Sequence, residues 1–120
     1  MFELIEGLPA DTIGLSATGM VTAADYEQTI IPLAKQKMAA HGKVRVLMHY
    51  GPGFTGYSPS AMWEDTKFGL AHLGDFSKIA VVSDVGWLRH CVWLFAPFIR
   101  CPVRVFGNDE IEAAKTWIAS

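Results

Sequence analysis

Four histidines, two cysteines and the run Glu64-Asp65-Thr66-Lys67 are the residues of this chain with the chemistry to hold a metal or to move a proton. No two of His41, His49, His72 and His90 stand four residues apart, so none can pair on one helix face to clamp an ion. Cys91 and Cys101 have neither Cys-x-x-Cys spacing nor a histidine cluster to match, and read as reduced, buried thiols. No metal, no cofactor and a fold indifferent to chelators are therefore expected. Within the acidic run, Glu64 shares a helix face with Lys67 and reads as half of a surface ion pair. Asp65, near the start of the same helix, suits the helix dipole. His49 stands where a strand meets a flexible loop, the place where open α/β sheets take ligands. It serves there either as a hydrogen-bonded structural group or as a proton carrier.

The loop after His49, Gly51-Pro52-Gly53-Phe54-Thr55-Gly56-Tyr57-Ser58-Pro59-Ser60, is the longest stretch rich in glycine and proline. Its glycine spacing suggests a phosphate-binding loop only superficially, because the Gly-Lys ending is missing and Pro52 lacks a backbone donor. No Gly-x-Ser-x-Gly nucleophile elbow occurs, so no catalytic residue is assigned and an enzyme is not expected. The loop reads either as a lid that carries Phe54 and Tyr57 over a ligand or as a connection whose aromatic rings cover the sheet edge.

The elements that must position these groups follow from periodicity and punctuation. Strands are expected at 2–6, 12–18, 43–49, 78–83 and 102–106. A first helix opens at Thr22, with Asp25 three residues on, and runs to Gly42, with Pro32 bending or splitting it near Ile31. The second is capped by Ser58 with Pro59 at its first position and carries Met62, Trp63, Phe68, Leu70 and Leu73 up to Gly74. The third spans 85–99, and an amphipathic fourth spans 109–119. The order ββαβαβαβα gives one α/β domain over 1–120, with a mostly parallel mixed sheet of four to five strands flanked by helices.

An apolar content of 51% against 18% charged separates the chain from disordered sequences, and a net charge of -2 gives no footprint for nucleic acid. The N-terminus lacks the basic start and long apolar run of a secretory signal, so cytoplasmic residence is the default expectation. The longest apolar run, 85–99, makes a helix of about 22 Å, short of the roughly 30 Å of a hydrocarbon core, and it carries Arg89 and His90. Trp87, Leu88, Cys91, Val92, Trp93, Leu94, Phe95 and Phe98 nevertheless surround that helix, so a second apolar face is left after one has covered the sheet. The second helix, a ligand, a partner subunit or a lipid surface are the candidates to cover it.

The chain also resembles a known family. Trp63-Glu64-Asp65-Thr66-Lys67-Phe68, then Ile79-Ala80-Val81-Val82-Ser83-Asp84 with Trp87-Leu88, then Val105-Phe106 and Glu112-Ala113-Ala114-Lys115-Thr116-Trp117-Ile118 are similar, in order and spacing, to the SpoIIAA-like family, which is related to STAS and CRAL-TRIO domains. The resemblance implies a four- or five-stranded sheet with flanking helices, no catalytic activity, and a role in binding apolar ligands or associating with membranes. A second implication is regulatory, because STAS domains of the anti-sigma-antagonist type carry a phosphorylatable serine in an Asp-Ser-Ser-Gly-like motif. Ser58 and Ser60 stand at the matching place without the Asp and Gly. The leading expectation is a non-enzymatic cleft between helices two and three for a hydrophobic small molecule or lipid, with peripheral membrane contact. Phe54, Trp63, Phe68, Trp87, Trp93 and Phe95 would line it, with Tyr57 and His90 as polar handles. The alternative is a STAS-type interaction module or homodimer using the same surface.

Overall fold

A computed structural model of the protein describes residues 2–72 and 74–120. Leu73, expected at the end of the second helix, lies outside the described residues. Five strands form one sheet in the order β1-β2-β3-β4-β5: β1 (Phe2–Leu4), β2 (Thr12–Val21), β3 (Val44–Tyr57), β4 (Phe76–Ser83) and β5 (Val103–Phe106). β1 runs antiparallel to β2, and the other neighbours are parallel.

Each parallel connection steps one strand further in the same direction, and right-handed crossovers then place every connecting helix on one face. Helix α1 covers 23–41, α2 is Pro59–Ala71 and α3 is Gly86–Phe95, continued by a 3-10 turn over Ala96–Phe98. Ile13, Leu15, Met48, Tyr50 and Val81 point up at them and meet Ala34, Ala61 and Leu88. Helix α4 (Ile111–Ala119), after the last strand, crosses to the other face, where Leu47, Ala80, Val82 and Phe106 meet Ala114 and Ile118. Each fully buried aliphatic side chain in these layers contributes roughly 1.5–3 kcal/mol relative to exposure.

Pro32 neither splits nor ends α1. The helix opens with a capping box, in which the Asp25 amide donates to Thr22 Oγ1 at 3.4 Å and the Thr22 amide donates to the Asp25 carboxylate at 2.9 Å. It then widens into a π-helical stretch, Tyr26–Ile30, with the Ile31 amide reaching back to the Tyr26 carbonyl. In an α-helix the Pro32 ring would clash with the carbonyl of Gln28, four residues before it, and the wider turn absorbs the misfit.

The expected lid is a strand. β3 continues through the glycine- and proline-rich stretch to Tyr57, and beyond Tyr50 it pairs with β2 alone, because β4 ends at Ser83. Pro52 is tolerated there because that side of the strand no longer needs its amide. Between the pairs Ala17↔Tyr50 and Gly19↔Phe54, β3 advances four residues while β2 advances two. This bulge, with Gly56 at φ 144, a backbone angle side chains rarely adopt, brings Tyr57 back beside Tyr50.

Candidate functional site

Ser58 starts α2 as the sequence suggests: its Oγ accepts from the Ala61 amide at 3.1 Å, and Pro59 follows at the first position. That hydroxyl also lies 3.2 Å from the Ser60 hydroxyl. From this start, Ala61, Asp65, Phe68 and His72 fall at steps of four, three and four, on one stripe. Ala61 is buried, Phe68 is half-buried with its ring 4.5 Å from the His72 ring and 6.4 Å from Phe76, and His72 pairs with Asp75 at 2.8 Å. Trp63 lies on the opposite side of the helix, exposed, with the Lys67 ammonium 5.8 Å from its ring centroid. Glu64 and Lys67 form the expected ion pair at 2.9 Å.

Asp65 is not the simple dipole partner expected of it. Its carboxylate accepts the Tyr26 hydroxyl proton at 2.8 Å. With that proton committed, the Tyr26 oxygen is the acceptor in its 3.4 Å contact with Tyr57, and Tyr57 in turn receives from Tyr50 at 2.5 Å. A directional file results, Tyr50 to Tyr57 to Tyr26 to Asp65, joining β3, α1 and α2. Burial drives all three phenols far above their ordinary pKa, so they stay neutral hydrogen-bonding groups. Asp65 keeps one side open to solvent, yet the protein mass around its carboxyl desolvates it and raises its pKa, against the lowering by the Tyr26 bond. Tyr26, Tyr50 and Asp65 were missed as site residues. The available signal was the placement of Asp65 on the same stripe as Ala61 and Phe68.

Helix α3 is held at its first turn. The Val85 amide donates to Ser83 Oγ at 3.0 Å, Arg89 donates to the Ser83 carbonyl at 2.9 Å, and Trp87 packs on Phe54 and Tyr57 with centroids 6.3 and 6.4 Å away. Leu88, Cys91, Val92 and Phe95 share its inward stripe. Leu88 is 8% exposed and Cys91 and Val92 are half-buried, but Phe95 is 59% exposed. The sheet beneath shows the same gradient: the first four residues of β4 are half-buried and the last four buried, β5 pairing with β4 only from Ile79 on. On this side of the sheet Phe68, Phe76, Ile79 and Val92 are half-buried against the core, while Phe95, at the C-terminal end of α3, is exposed.

Of the expected cleft residues, Phe68 is half-buried against the core, Phe95 is exposed, and Trp87 packs on Tyr57. Phe54 is buried in β3 rather than carried on a lid, because the loop assigned to it is paired strand. Trp93 and His90 lie on the outer side of α3, their rings 5.9 Å apart, with Trp93 71% exposed. α2 packs against α1. Two concavities of about 580 and 340 Å³, around Gly7 and Leu8, involve no residue of α2 or α3.

His49 belongs to the other face, because alternate residues of β3 point toward α4. Its Nδ1 is 3.2 Å from the Ser16 hydroxyl, and desolvation, then the Lys115 charge, lowers its pKa against the effect of the Asn108 side chain. The contact with Ser16 fits the hydrogen-bonded structural reading of His49. Among the described residues no three His, Cys, Asp or Glu side chains are placed to share a metal ion, and no helix is long and apolar enough to cross a membrane.

Comparison with known families decides the kinship. The SpoIIAA-like family pattern matches residues 12–119. The chain belongs to the SpoIIAA-like family. A similar solved structure is that of an uncharacterized protein from the DUF3478 family with a SpoIIAA-like fold, from Shewanella loihica PV-4. It aligns with a TM-score of 0.75 at 21% identity, covering 98% of this chain and 92% of that one. No curated protein matches. The SpoIIAA-like fold, a mostly parallel five-stranded sheet with four helices, is thus the one expected from sequence, and the expected order of elements holds throughout.

Proposed function

We propose that this SpoIIAA-like protein is a non-enzymatic binding module that receives an apolar ligand, a lipid-like or other hydrophobic small molecule, in the trough between α2 and α3. The observation that carries the reading is Phe95, which follows Leu88 and Val92 at helical spacing on α3 yet is 59% exposed. Large apolar groups left open on an inward face gain about 25 cal/mol for each Å² that an occupant removes from water. The neutral phenol of Tyr57 and the Trp87 ring stand at the anchored end, where they would orient the ligand.

The test is titration with a fluorescent fatty-acid probe. Phe95→Ser is expected to weaken binding markedly, whereas Trp93→Ser, on the outer face, leaves it nearly unchanged. Equal binding by both variants and the parent protein, or no binding by any, rejects the trough. A second reading, a STAS-type interaction module working as a homodimer or with a partner protein or lipid surface, is favoured by Trp93, Leu94 and Phe98, which remain exposed where a trough ligand would not cover them. Mass in solution, with and without liposomes, tests that reading.

A further inference from the structure

Trp87 lies 6.4 Å from Tyr57, and Tyr57 lies 6.2 Å from Tyr26, ring centroid to ring centroid. Three oxidisable rings thus run in near contact from the first turn of α3, through the end of β3, to α1. The outer ring, Trp87, is 46% exposed, and the inner one, Tyr26, is 2% exposed. Burial alone would favour phenylalanine at position 26, because a buried phenol must find a hydrogen-bond partner. The Tyr26 hydroxyl instead donates to the Asp65 carboxylate at 2.8 Å, within the reach at which a base takes a proton. Asp65 is exposed on α2, so a proton received there has a path to water. The proposed binding uses Tyr57 and Trp87 as surfaces and leaves the Tyr26–Asp65 end without a role.

We propose that Trp87, Tyr57 and Tyr26 form a one-electron relay that takes up an oxidising equivalent from a peroxyl radical at Trp87 and settles it on Tyr26, with Asp65 as proton acceptor. The peroxyl radical gains one electron from the Trp87 ring and a proton from water and becomes a hydroperoxide. Trp87 is left as a radical cation, which an electron from Tyr26, passed through the Tyr57 ring, returns to neutral. In that step the Tyr26 proton moves to Asp65, and Tyr26 becomes a neutral tyrosyl radical. A thiol in solution restores Tyr26 by giving up a hydrogen atom, the thiyl radicals pair as a disulfide, and the Asp65 proton leaves to solvent. Tyr26 is the terminus because an oxidised phenol is a strong acid, and the electron leaves most readily where a base takes the proton. The hydroxyls of Tyr50 and Tyr57 meet phenol oxygens, which are poor bases, whereas Tyr26 meets a carboxylate.

Flash photolysis of the full chain, with photogenerated tris-bipyridine ruthenium(III) as oxidant and transient absorbance as readout, tests the relay. The tryptophanyl signal of the parent protein is expected to give way to a tyrosyl signal. The conversion should be independent of protein concentration and slower in heavy water, because the proton moves with the electron. Trp87→Phe and Tyr26→Phe should each cut the tyrosyl yield several-fold, although other tryptophans remain in the first and Tyr50 and Tyr57 in the second. Asp65→Asn, which keeps an oxygen acceptor but no base, should do the same. An unchanged tyrosyl yield in any of these variants, or a parent rate equal in light and heavy water, would overturn the relay. Should a variant fail to fold, the isotope effect in the parent still decides. Peroxyl radicals from an azo initiator should leave the same tyrosyl radical in frozen parent protein, read by electron paramagnetic resonance, and its absence would overturn the peroxyl assignment. The relay stands apart from the proposed trough, so lost fatty-acid binding with intact tyrosyl formation would remove the trough alone.

Discussion

Trp87 meets Tyr57 edge-on, with ring centroids 6.4 Å apart, and so fastens the first turn of α3 to the end of β3. At the opposite end of α3, Phe95 is 59% exposed. Trp87→Ala should therefore cost about 1–3 kcal/mol, since aromatic pairs add roughly 0.5–1.5 kcal/mol each beyond area burial and Trp87 contacts Phe54 as well. Urea unfolding of the variant measures it, and a cost near zero would show that the anchor lies elsewhere.

The two sides of α3 should respond differently to truncation. Leu88, 8% exposed, is expected to cost about 2–5 kcal/mol when replaced by Ala. Trp93→Ser, at 71% exposure, should stay within about 0.5 kcal/mol of the parent, as surface changes usually do. Parallel chemical denaturation of the two variants checks the contrast, and a large loss at Trp93 would place it in a buried contact.

All three tyrosines of the chain belong to one hydrogen-bonded file, which makes their titration a direct readout of it. Burial raises each phenol's pKa in the folded state, so the folded protein keeps its protons longer than the unfolded chain. Stability should then fall as pH rises through the ordinary tyrosine value near about 10. Ultraviolet absorbance is expected to show no phenolate while the protein stays folded, with all three appearing together on alkaline unfolding. A tyrosine ionising at its ordinary value in the native state would contradict the enclosed file. Tyr57→Phe interrupts the file and should cost about 1–3 kcal/mol, because Tyr50 loses its acceptor.

Gly14 in β2 lies beneath the segment that joins β1 to β2. A methyl group there would come within 2.4 Å of Leu8 Cδ1 and 3.1 Å of Ile5 Cβ. Gly14→Ala should therefore destabilise by about 1–3 kcal/mol through overpacking, read from a lowered urea midpoint with an unchanged slope. An unchanged midpoint would mean that the Leu8 side chain simply swings aside.

Element order, strand number and the caps at Thr22 and Ser58 were legible because each depends on residues close in sequence: alternation, helical spacing, and a hydroxyl three residues ahead of an amide. The apolar excess of α3 was legible for the same reason. The Glu64–Lys67 pair needed nothing beyond a helix face. The segment 51–57 was misread as a lid because its glycines and proline match a loop locally, while the β2 edge that turns it into a strand lies more than thirty residues away in sequence.

The sequence by itself determined that the chain makes one α/β domain with more apolar helix surface than one sheet face can cover. Only the tertiary structure decided which of those groups turn inward. Trp63, Trp93 and Phe95 are exposed and Leu88 is buried, because the position of each helix against the sheet selects the residues that face it. Only the fold, too, could join Tyr26, Tyr50 and Tyr57 to Asp65. Hydrogen bonds across 39 residues depend on where three elements meet, and no spacing along the chain records that distance.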